Sequence, residues 1–359
     1  MMPTEVRPTT TSTTSAKPID DRHPQPPSST ARQSAPSDRR PDAGSLLSTT
    51  ALFLWLAYLV IVIALPEADL LRKGSTTPVT VLAGTWLIAL IAWTLTARVR
   101  PASSAARSLT HFLPWINAAS VWFIVWQLTT SKLGLLTPPY FAAPEVLIAS
   151  FLGDWRLLLS CLGASALLFI IGYTAGSVLG FFTGLLMGWS RRADYWFHPL
   201  LQTIGPVPAA SLLPLALLLL PTTYASAAFI VGFGAWFPMA TMTRAGVRSV
   251  RRDYIDMART LGADEFFLIR RVAVPSALPD MLTGLFTGLG TSLAALMTAE
   301  LTGVDKGLAW YINWVKGWAD YPRMYVGLII LVTFCRTLMV LLFKIRSSLL
   351  AWQQNLVRW

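Results

Sequence analysis

Charged residues are scarce in this chain. Asp, Glu, Lys and Arg make up 13% of its 359 residues, whereas a soluble domain usually carries about 25%. Cysteine and histidine are scarcer still, with two and three residues that are too scattered for a metal site. A phosphate loop of the form Gly-x-x-x-x-Gly-Lys-Ser/Thr is absent, and no paired nucleophile and base can be found. These absences argue against a soluble protein, a metalloprotein and an enzyme that hydrolyses ATP by itself.

Hydrophobic residues, by contrast, make up 54% of the chain, and the net charge is +11. In a soluble protein such a charge would indicate a nucleic-acid partner. Here the basic residues lie in short segments between apolar runs, as they do on the cytoplasmic side of membrane proteins. The composition therefore predicts an all-α, polytopic bundle of transmembrane helices in the lipid bilayer, without nucleic acid.

The chain divides into four parts. Residues 1–45 are rich in Thr, Ser and Pro, with almost no aromatic residue, and are predicted to be a disordered cytoplasmic tail. Residues 46–105 hold two apolar runs, residues 106–350 hold six more, and residues 351–359 form a second cytoplasmic tail. About eight spans are predicted, at 47–65, 79–97, 112–128, 158–188, 203–220, 225–243, 281–301 and 324–343.

Arginine and lysine set the predicted orientation, because positive residues collect on the cytoplasmic side of a membrane. The basic segments are 98–107, 189–198, 244–271 and the end of the chain after residue 343. With eight spans, all four lie on one side. The prediction is a multi-pass protein of the plasma (cell inner) membrane with both termini in the cytoplasm.

Two spans have unusual residues. The fourth carries five glycines at four-residue spacing (Gly172, Gly176, Gly180, Gly184 and Gly188), which predicts a bare ridge for close helix packing. The fifth carries Pro206 and Pro208, followed by two further prolines. Proline removes a backbone donor and kinks a helix, and broken helices are tolerated in membranes where they line a cavity or are buried in protein. This span is therefore either part of a translocation path or a kinked packing helix.

The segment 244–279 is too long for a simple turn and too basic to enter lipid. Asp253 is expected to cap a short helix that ends at Gly262 in a left-handed conformation. A second short helix is predicted over 264–273, and Pro275 is expected to end it. The apolar side chains expected to protrude are Ala258, Leu261, Phe266, Phe267 and Ile269. An exposed apolar surface with an arginine rim is typical of a protein-binding site, although a hairpin on anionic lipid headgroups has the same pattern.

The spacing in this segment resembles the EAA loop in membrane subunits of type I ABC importers. That loop reads Glu-Ala-Ala, three residues, Gly, nine residues and Ile-x-Leu-Pro. The present chain has Asp256-Met257-Ala258, three residues that end with Leu261, then Gly262, nine residues, and Val272-Ala273-Val274-Pro275. Every spacing is kept. The largest departure is Met257, which is bigger than alanine and would alter the fit to a partner.

The resemblance covers residues 140–350 and is greatest with the nitrate, sulfonate and taurine branch. The stretches that carry it are PPYFAAPEVL, IGPVPAASLLPLALLLL, AGVRSVRRDYIDMARTLGA and AELTGVDKGLAWYI. Six core spans are usual in that branch, so residues 1–105, with the two helices of 46–105, look like an extension of unknown purpose. The resemblance implies a permease subunit that forms the path for a small solute such as nitrate, a sulfonate or taurine.

The resemblance also implies partners. The EAA loop would couple the chain to a separate cytoplasmic ATPase, present in two copies, which uses ATP and Mg while this chain binds no cofactor. A second permease subunit, in a homodimer, and a periplasmic or extracellular solute-binding protein would complete the assembly. The coupling residues implied are Asp256, Met257, Ala258, Leu261, Gly262, Val272 and Pro275.

Candidates for the substrate path are Glu300 and Asn313 at the outer side, together with Pro206 and Pro208. An acid near the end of a span is a functional candidate, but an interfacial acid that reaches toward water is the commoner case. The alternative function is a secondary transporter or channel without an ATPase. It would require charged residues inside the bundle, and only Glu300 and Arg336 fall within the predicted spans.

Overall fold

The structure, a computed structural model, describes residues 43–66, 76–99 and 104–350. The regular secondary structure within these ranges is entirely helical, as predicted. The tails predicted over 1–45 and 351–359 lie outside the described residues, except that residues 43–45 begin the first helix. The described residues from Gly44 onward form one compact unit.

The helices fall in the following order: α1 Ala43–Ala64, α2 Thr77–Val99, α3 Ser104–Gln127 with a π-helical turn Leu128–Lys132, α4 Pro144–Trp189, α5 Arg191–Ile204, a 3-10 turn Ala209–Leu212, α6 Leu213–Leu219, α7 Thr223–Arg248, α8 Arg252–Thr260, α9 Glu265–Phe267 with a π-helical turn Leu268–Ala273, α10 Val274–Thr302, α11 Leu308–Gly317 and α12 Tyr321–Leu349.

Six stretches of helix are long and apolar enough to cross a membrane: Leu46–Ala64, Thr77–Ala97, Pro144–Trp189, Thr223–Arg248, Glu265–Thr302 and Tyr321–Leu349. The fifth predicted span is not one helix but a pair, α5 and Ala209–Leu219, bent by 90°. Counted together, this pair makes a seventh crossing. The third predicted span corresponds to α3, which is 24 residues long and is not among the six.

Helix directions show that the bent pair carries the chain from one end of the bundle back to the other. Gly172 of α4 lies against Val231 of α7, and Gly188 of α4 lies against Val247. The contacts advance in the same direction along both helices, so α4 and α7 run parallel. The chain between them therefore has to return to the far end of the bundle, and only the bent pair is available to do so.

The other helices alternate in direction. Helix α10 is antiparallel to α7, because Gly246 contacts Ala277 while the earlier Gly234 contacts the later Ser292. Helix α12 runs parallel to α4, since Asp154 pairs with Arg323 and Phe169 meets Phe334. The ends of α4, α7 and α12 thus lie at one end of the bundle. We call it the basic end, because arginines flank these helix ends.

The N-terminal helices follow the same alternation. Asn117 of α3 donates to the Leu47 carbonyl at 3.3 Å, and Lys132 donates to the Leu65 carbonyl at 2.7 Å, so α1 and α3 are parallel. Gln127, at the end of α3, donates to Glu145 at the start of α4. Within the described residues the chain therefore runs the length of the bundle eight times, when α3 and the bent pair are both counted.

The glycine ridge of α4 packs against α7, which confirms the packing prediction. A Cβ at any of the five ridge glycines would overlap a backbone or Cβ atom of α7. In lipid, the burial of apolar side chains gives helices little reason to associate, and close packing of their backbones stabilises the contact instead. The ridge therefore holds together the two parallel helices at the centre of the bundle.

Two local predictions in the segment 244–279 are wrong. Helix α8 begins at Arg252 without a side-chain cap, and Asp253 lies in its first turn, paired with Arg251 at 2.8 Å. Pro275 does not end the second helix, which continues into α10 as one 38-residue helix. The π-helical turn before it explains this, because the Val274 N–H bonds to Ile269 five residues back and the wider turn accommodates the proline ring.

Candidate functional site

The candidate site is the connection between α7 and α10 at the basic end, residues 249–264, which we call the basic-end loop. Its helix α8 covers nine residues and is strongly amphipathic. Exposed apolar side chains stand on and after it: Leu261 is 83% exposed, Phe266 68% and Met257 61%. We call these three side chains the apolar knob. Ala258 and Ile269, which the sequence also predicted to protrude, are half-buried.

The remaining predicted coupling residues lie around the knob. Asp256 is exposed on α8, one residue before Met257. Val272 is half-buried in the π-helical turn, and Pro275 is exposed at the start of α10. The structure thus brings the predicted coupling set together at one end of the bundle.

Gly262 ends α8 with φ of +84°, the left-handed conformation that its position in the sequence predicts. The Gly262 N–H bonds to the Arg259 carbonyl at 2.9 Å, and the Ala263 N–H bonds to the Ala258 carbonyl at 3.1 Å. A Cβ at Gly262 would meet nothing within 4 Å. Glycine is therefore needed here for backbone conformation alone, because other residues adopt positive φ only at a cost of about 1–2 kcal/mol.

Glu265 fixes the basic-end loop to the core. Its carboxylate accepts from the Trp189 indole at 3.1 Å and from the Arg259 guanidinium at 2.8 Å. Trp189 is the last residue of α4, so one carboxylate connects α4, α8 and the start of the long helix through α10. A polar cavity of about 720 Å³ lies between these elements. Its lining includes Arg191, Arg248, Arg252, Asp256 and Arg259.

A second carboxylate fixes α5 beside α7. Asp194, in the first turn of α5, pairs with Arg244 at 2.5 Å and with Arg248 at 2.5 Å. It lies at the level of the arginines that begin α5, outside the apolar part of the bundle. The hydrogen bond from Arg244, together with the charges of both guanidiniums, holds the pKa of Asp194 below its usual value.

The predicted path residues lie elsewhere. Glu300 is buried, with 1% exposure, near the end of α10 that is opposite the basic end. Asn313 is exposed on α11, and Pro206 and Pro208 are exposed at the bend that follows α5. The sequence did not predict the burial of Glu300, since its hydrogen-bond partner Ser165 is 135 residues away.

A feature that the sequence analysis missed is a stripe of threonines on the outer face of α10. Thr283, Thr287 and Thr291 are exposed, although lipid would favour apolar side chains at such positions. Each hydroxyl donates to a backbone carbonyl, at 3.1, 3.1 and 2.6 Å. The signal was present as threonine at four-residue spacing within an apolar run.

Known proteins resemble much of this chain. Residues 176–351 match the family described as binding-protein-dependent transport system inner membrane component. The putative aliphatic sulfonates transport permease protein SsuC of Escherichia coli is 30% identical over 175 residues, which are 46% of this chain and 65% of that protein. The nitrate import permease protein NrtB of Synechococcus elongatus is 25% identical over 206 residues, 51% of this chain and 72% of that protein.

The chain thus covers less than two thirds of the sulfonate permease. Among solved structures, it is similar to the crystal structure of an amino acid ABC transporter with histidines, with a TM-score of 0.46 and 18% identity over 58% of this chain and 97% of that one. The matched residues 176–351 include α7, the basic-end loop and α10. Through these residues, which are just under half of the chain, it is similar to the family described as binding-protein-dependent transport system inner membrane component.

Proposed function

We propose that this chain is the permease subunit of an ABC importer for a small solute of the nitrate, sulfonate or taurine type. The observation that carries the proposal is the apolar knob. Its three large apolar side chains are exposed beside an arginine-lined cavity. They lie at or just before the start of a helix that runs the length of the bundle. Such a surface is suited to a protein partner that moves the helix.

The partner is a cytoplasmic ATPase, present in two copies, which supplies ATP hydrolysis with Mg. The basic end accordingly faces the cytoplasm, in agreement with the distribution of arginine. A second copy of this chain completes the membrane part, and a solute-binding protein delivers the substrate at the opposite end. Asp256, Ala258, Val272 and Pro275 shape the ATPase contact around the knob.

The solute path includes the outer face of α10. Its threonines and Gly290 offer a small, partly polar surface to the space outside this single chain. Pro206 and Pro208 stand at the 90° bend that precedes α6, where broken helices in membranes often line a cavity. Asn313 is exposed on α11, where it is available to solute or to the binding protein.

Co-purification in detergent tests the function. The tagged chain is expected to retain an ATPase and to support ATP-dependent uptake in vesicles. Leu261→Asp is expected to abolish retention of the ATPase, because the change places a charge at the most exposed side chain of the apolar knob. Leu135→Asp is the matched control, since Leu135 is 70% exposed outside the basic end and its change should leave the ATPase bound.

Two outcomes would overturn the proposal. One is uptake that persists in vesicles without ATP, which would favour a secondary transporter or channel. The other is equal ATPase retention by the Leu261→Asp variant and the control, which would place the partner surface elsewhere.

A further inference from the structure

One helix joins the two ends of the molecule. Glu265–Thr302 is a single stretch of 38 helical residues, about 57 Å long at 1.5 Å per residue. Phe266 of the apolar knob lies at its beginning, and Glu300 lies two residues before its end. We call this stretch the rod. If the basic-end loop is displaced along the rod's axis, Glu300 is therefore displaced with it.

At that far end each oxygen of the Glu300 carboxylate accepts a hydrogen bond from the protein. The Ser165 hydroxyl of α4 donates to Oε1 at 2.5 Å, and the Ala309 N–H donates to Oε2 at 2.8 Å. Ser165 Oγ in turn accepts from the Leu308 N–H at 2.8 Å. Leu308 and Ala309 are the first two residues of α11. We call Glu300, Ser165 and these two N–H groups the α11 anchor.

The α11 anchor satisfies a buried helix end. The first N–H groups of a helix have no partner within it, and a negative charge near them is favourable because of the helix dipole. Glu300 supplies that charge and Ser165 supplies a second acceptor. Removal of either would leave donors buried without partners, which is more costly than the loss of an exposed hydrogen bond.

Gly307 makes room for the α11 anchor. A Cβ at Gly307 would overlap the carboxylate of Glu300, so any larger residue must displace it. Behind the anchor, Leu308 and Tyr311 pack against α4 beside Cys161, which is completely buried. On its outer side α11 exposes Trp318, at 76%. The helix thus has one face fixed to α4 and α10 and another face open to solvent or a partner.

We propose that the α11 anchor makes α11 move as one body with the rod, so that displacement of the basic-end loop is delivered to α11 at the opposite end of the membrane. Glu300 and Ser165 are positioning residues in this proposal and do not contact the solute. The anchor is formed within a single copy of this chain and does not depend on a partner. Its use in transport rests on the proposed function.

Cys161 provides a natural reporter of the anchor. In the intact protein we expect it to react slowly with a membrane-impermeant maleimide applied from the side of α11, because α11 covers it. Glu300→Gln removes the charge and replaces one of the two acceptor oxygens with an NH2 group that can only donate, and Gly307→Ala displaces the carboxylate. Each variant is expected to raise the labelling rate of Cys161 about tenfold, as measured by mass spectrometry of the labelled peptide.

Two controls separate release of α11 from general loosening. Cys335 lies on α12 and serves as the internal control, because its labelling should not change. Glu145→Gln is the matched variant, since Glu145 is also a buried carboxylate, at the start of α4, and accepts from Ser131 and Gln127 rather than from α11. It should leave the labelling of Cys161 unchanged.

In the complex reconstituted with its ATPase, Glu300→Gln and Gly307→Ala are expected to retain ATP hydrolysis but to lose most of the uptake per ATP. Unchanged Cys161 labelling in both variants would overturn the anchor, and so would an equal rise at Cys335 or in Glu145→Gln. If labelling rises and the ratio of uptake to hydrolysis is unchanged, the anchor does not transmit movement. If the wild-type chain itself shows no ATP-dependent uptake, the proposed function fails and the labelling result still stands.

Discussion

Gly176 of α4 lies directly against Gly232 of α7, so closely that a Cβ at position 176 would overlap the Gly232 carbonyl group. The two helices run parallel, although the usual neighbours in a chain that crosses a membrane repeatedly are antiparallel. Their contact thus depends on the bent pair that returns the chain between them. Backbone contact of this kind provides dispersion energy and brings the helix backbones close together in lipid.

Gly176→Ala is therefore expected to destabilise the bundle by about 1–3 kcal/mol, because the added methyl group meets backbone that cannot move aside. The measurement is the midpoint of thermal unfolding in detergent. Gly163→Ala is the control on the same helix, since its Cβ would meet nothing within 4 Å. It should be neutral or stabilising by about 0.5–1 kcal/mol, because alanine favours a helix more than glycine does. Equal midpoints for the two variants would contradict the close approach.

Gly262 allows a second prediction that depends on conformation alone. Asparagine tolerates positive φ better than other residues, whereas a β-branched side chain resists it most. Uptake should therefore fall in the order Gly262, Gly262→Asn, Gly262→Asp and Gly262→Val, with insertion into the membrane unchanged. ATP-dependent uptake in vesicles is the measurement. If Gly262→Val transports as well as Gly262→Asn, the left-handed turn is not needed for coupling.

The sequence predicted those parts of the structure that depend on local pattern. Apolar runs of about 20 residues located the long helices, because a helix needs about that many apolar residues to cross the lipid bilayer. Four-residue spacing of glycine located the α4 ridge, since such residues share one helix face. Gly262 was recognisable because a helix that ends in the left-handed region favours glycine there. The predicted role of the basic-end loop in coupling remains a prediction.

Other features depend on contacts between distant residues and could not be predicted in this way. Glu300 resembled an interfacial acid until Ser165 and the start of α11 were placed beside it. Pro275 was expected to end a helix, because its effect was judged on a regular α-helix rather than on the π-helical turn that precedes it. The 90° bend after α5 also had only an ambiguous signal, since prolines both kink helices and end them.

Asp194 gives a prediction about acid stability. Its folded pKa is held below the unfolded value, mainly by the hydrogen bond from Arg244. Its contribution to the free energy of unfolding is thus complete above the unfolded pKa, about 3.9, and is lost as the pH falls through the folded pKa. Asp194→Asn should therefore be less stable than the wild type at pH 6, and the difference should shrink progressively below about pH 4.

Thermal unfolding at pH 6, 4 and 3 measures that difference. Asp253→Asn is the control, because its ion pair with Arg251 is about 70% exposed on both sides and exposed pairs contribute little. It should unfold like the wild type at every pH. A difference between Asp194→Asn and the wild type that stays constant from pH 6 to pH 3 would contradict the assignment.

Lys132 gives a prediction about the N-terminal helices. Its ammonium group is buried and donates to the carbonyls of Val62 at 3.1 Å and Leu65 at 2.7 Å. These carbonyls end α1 and have no partner further along that helix. Lys132 therefore caps α1 from the π-helical turn that follows α3, and it fixes the end of α1 to the rest of the bundle.

Lys132→Met keeps most of the side chain's volume but removes both hydrogen bonds, so it should lower the free energy of unfolding by about 1–3 kcal/mol. The loss should be local, because α2 and α3 still enclose the rest of α1. Hydrogen exchange of the amides in the last turn of α1 is the measurement, and it should accelerate by at least about tenfold. Lys316→Met, at an exposed position on α11, should leave it unchanged. Unaltered exchange in Lys132→Met would mean that α1 is held by its apolar contacts with Phe123 and Trp86 alone.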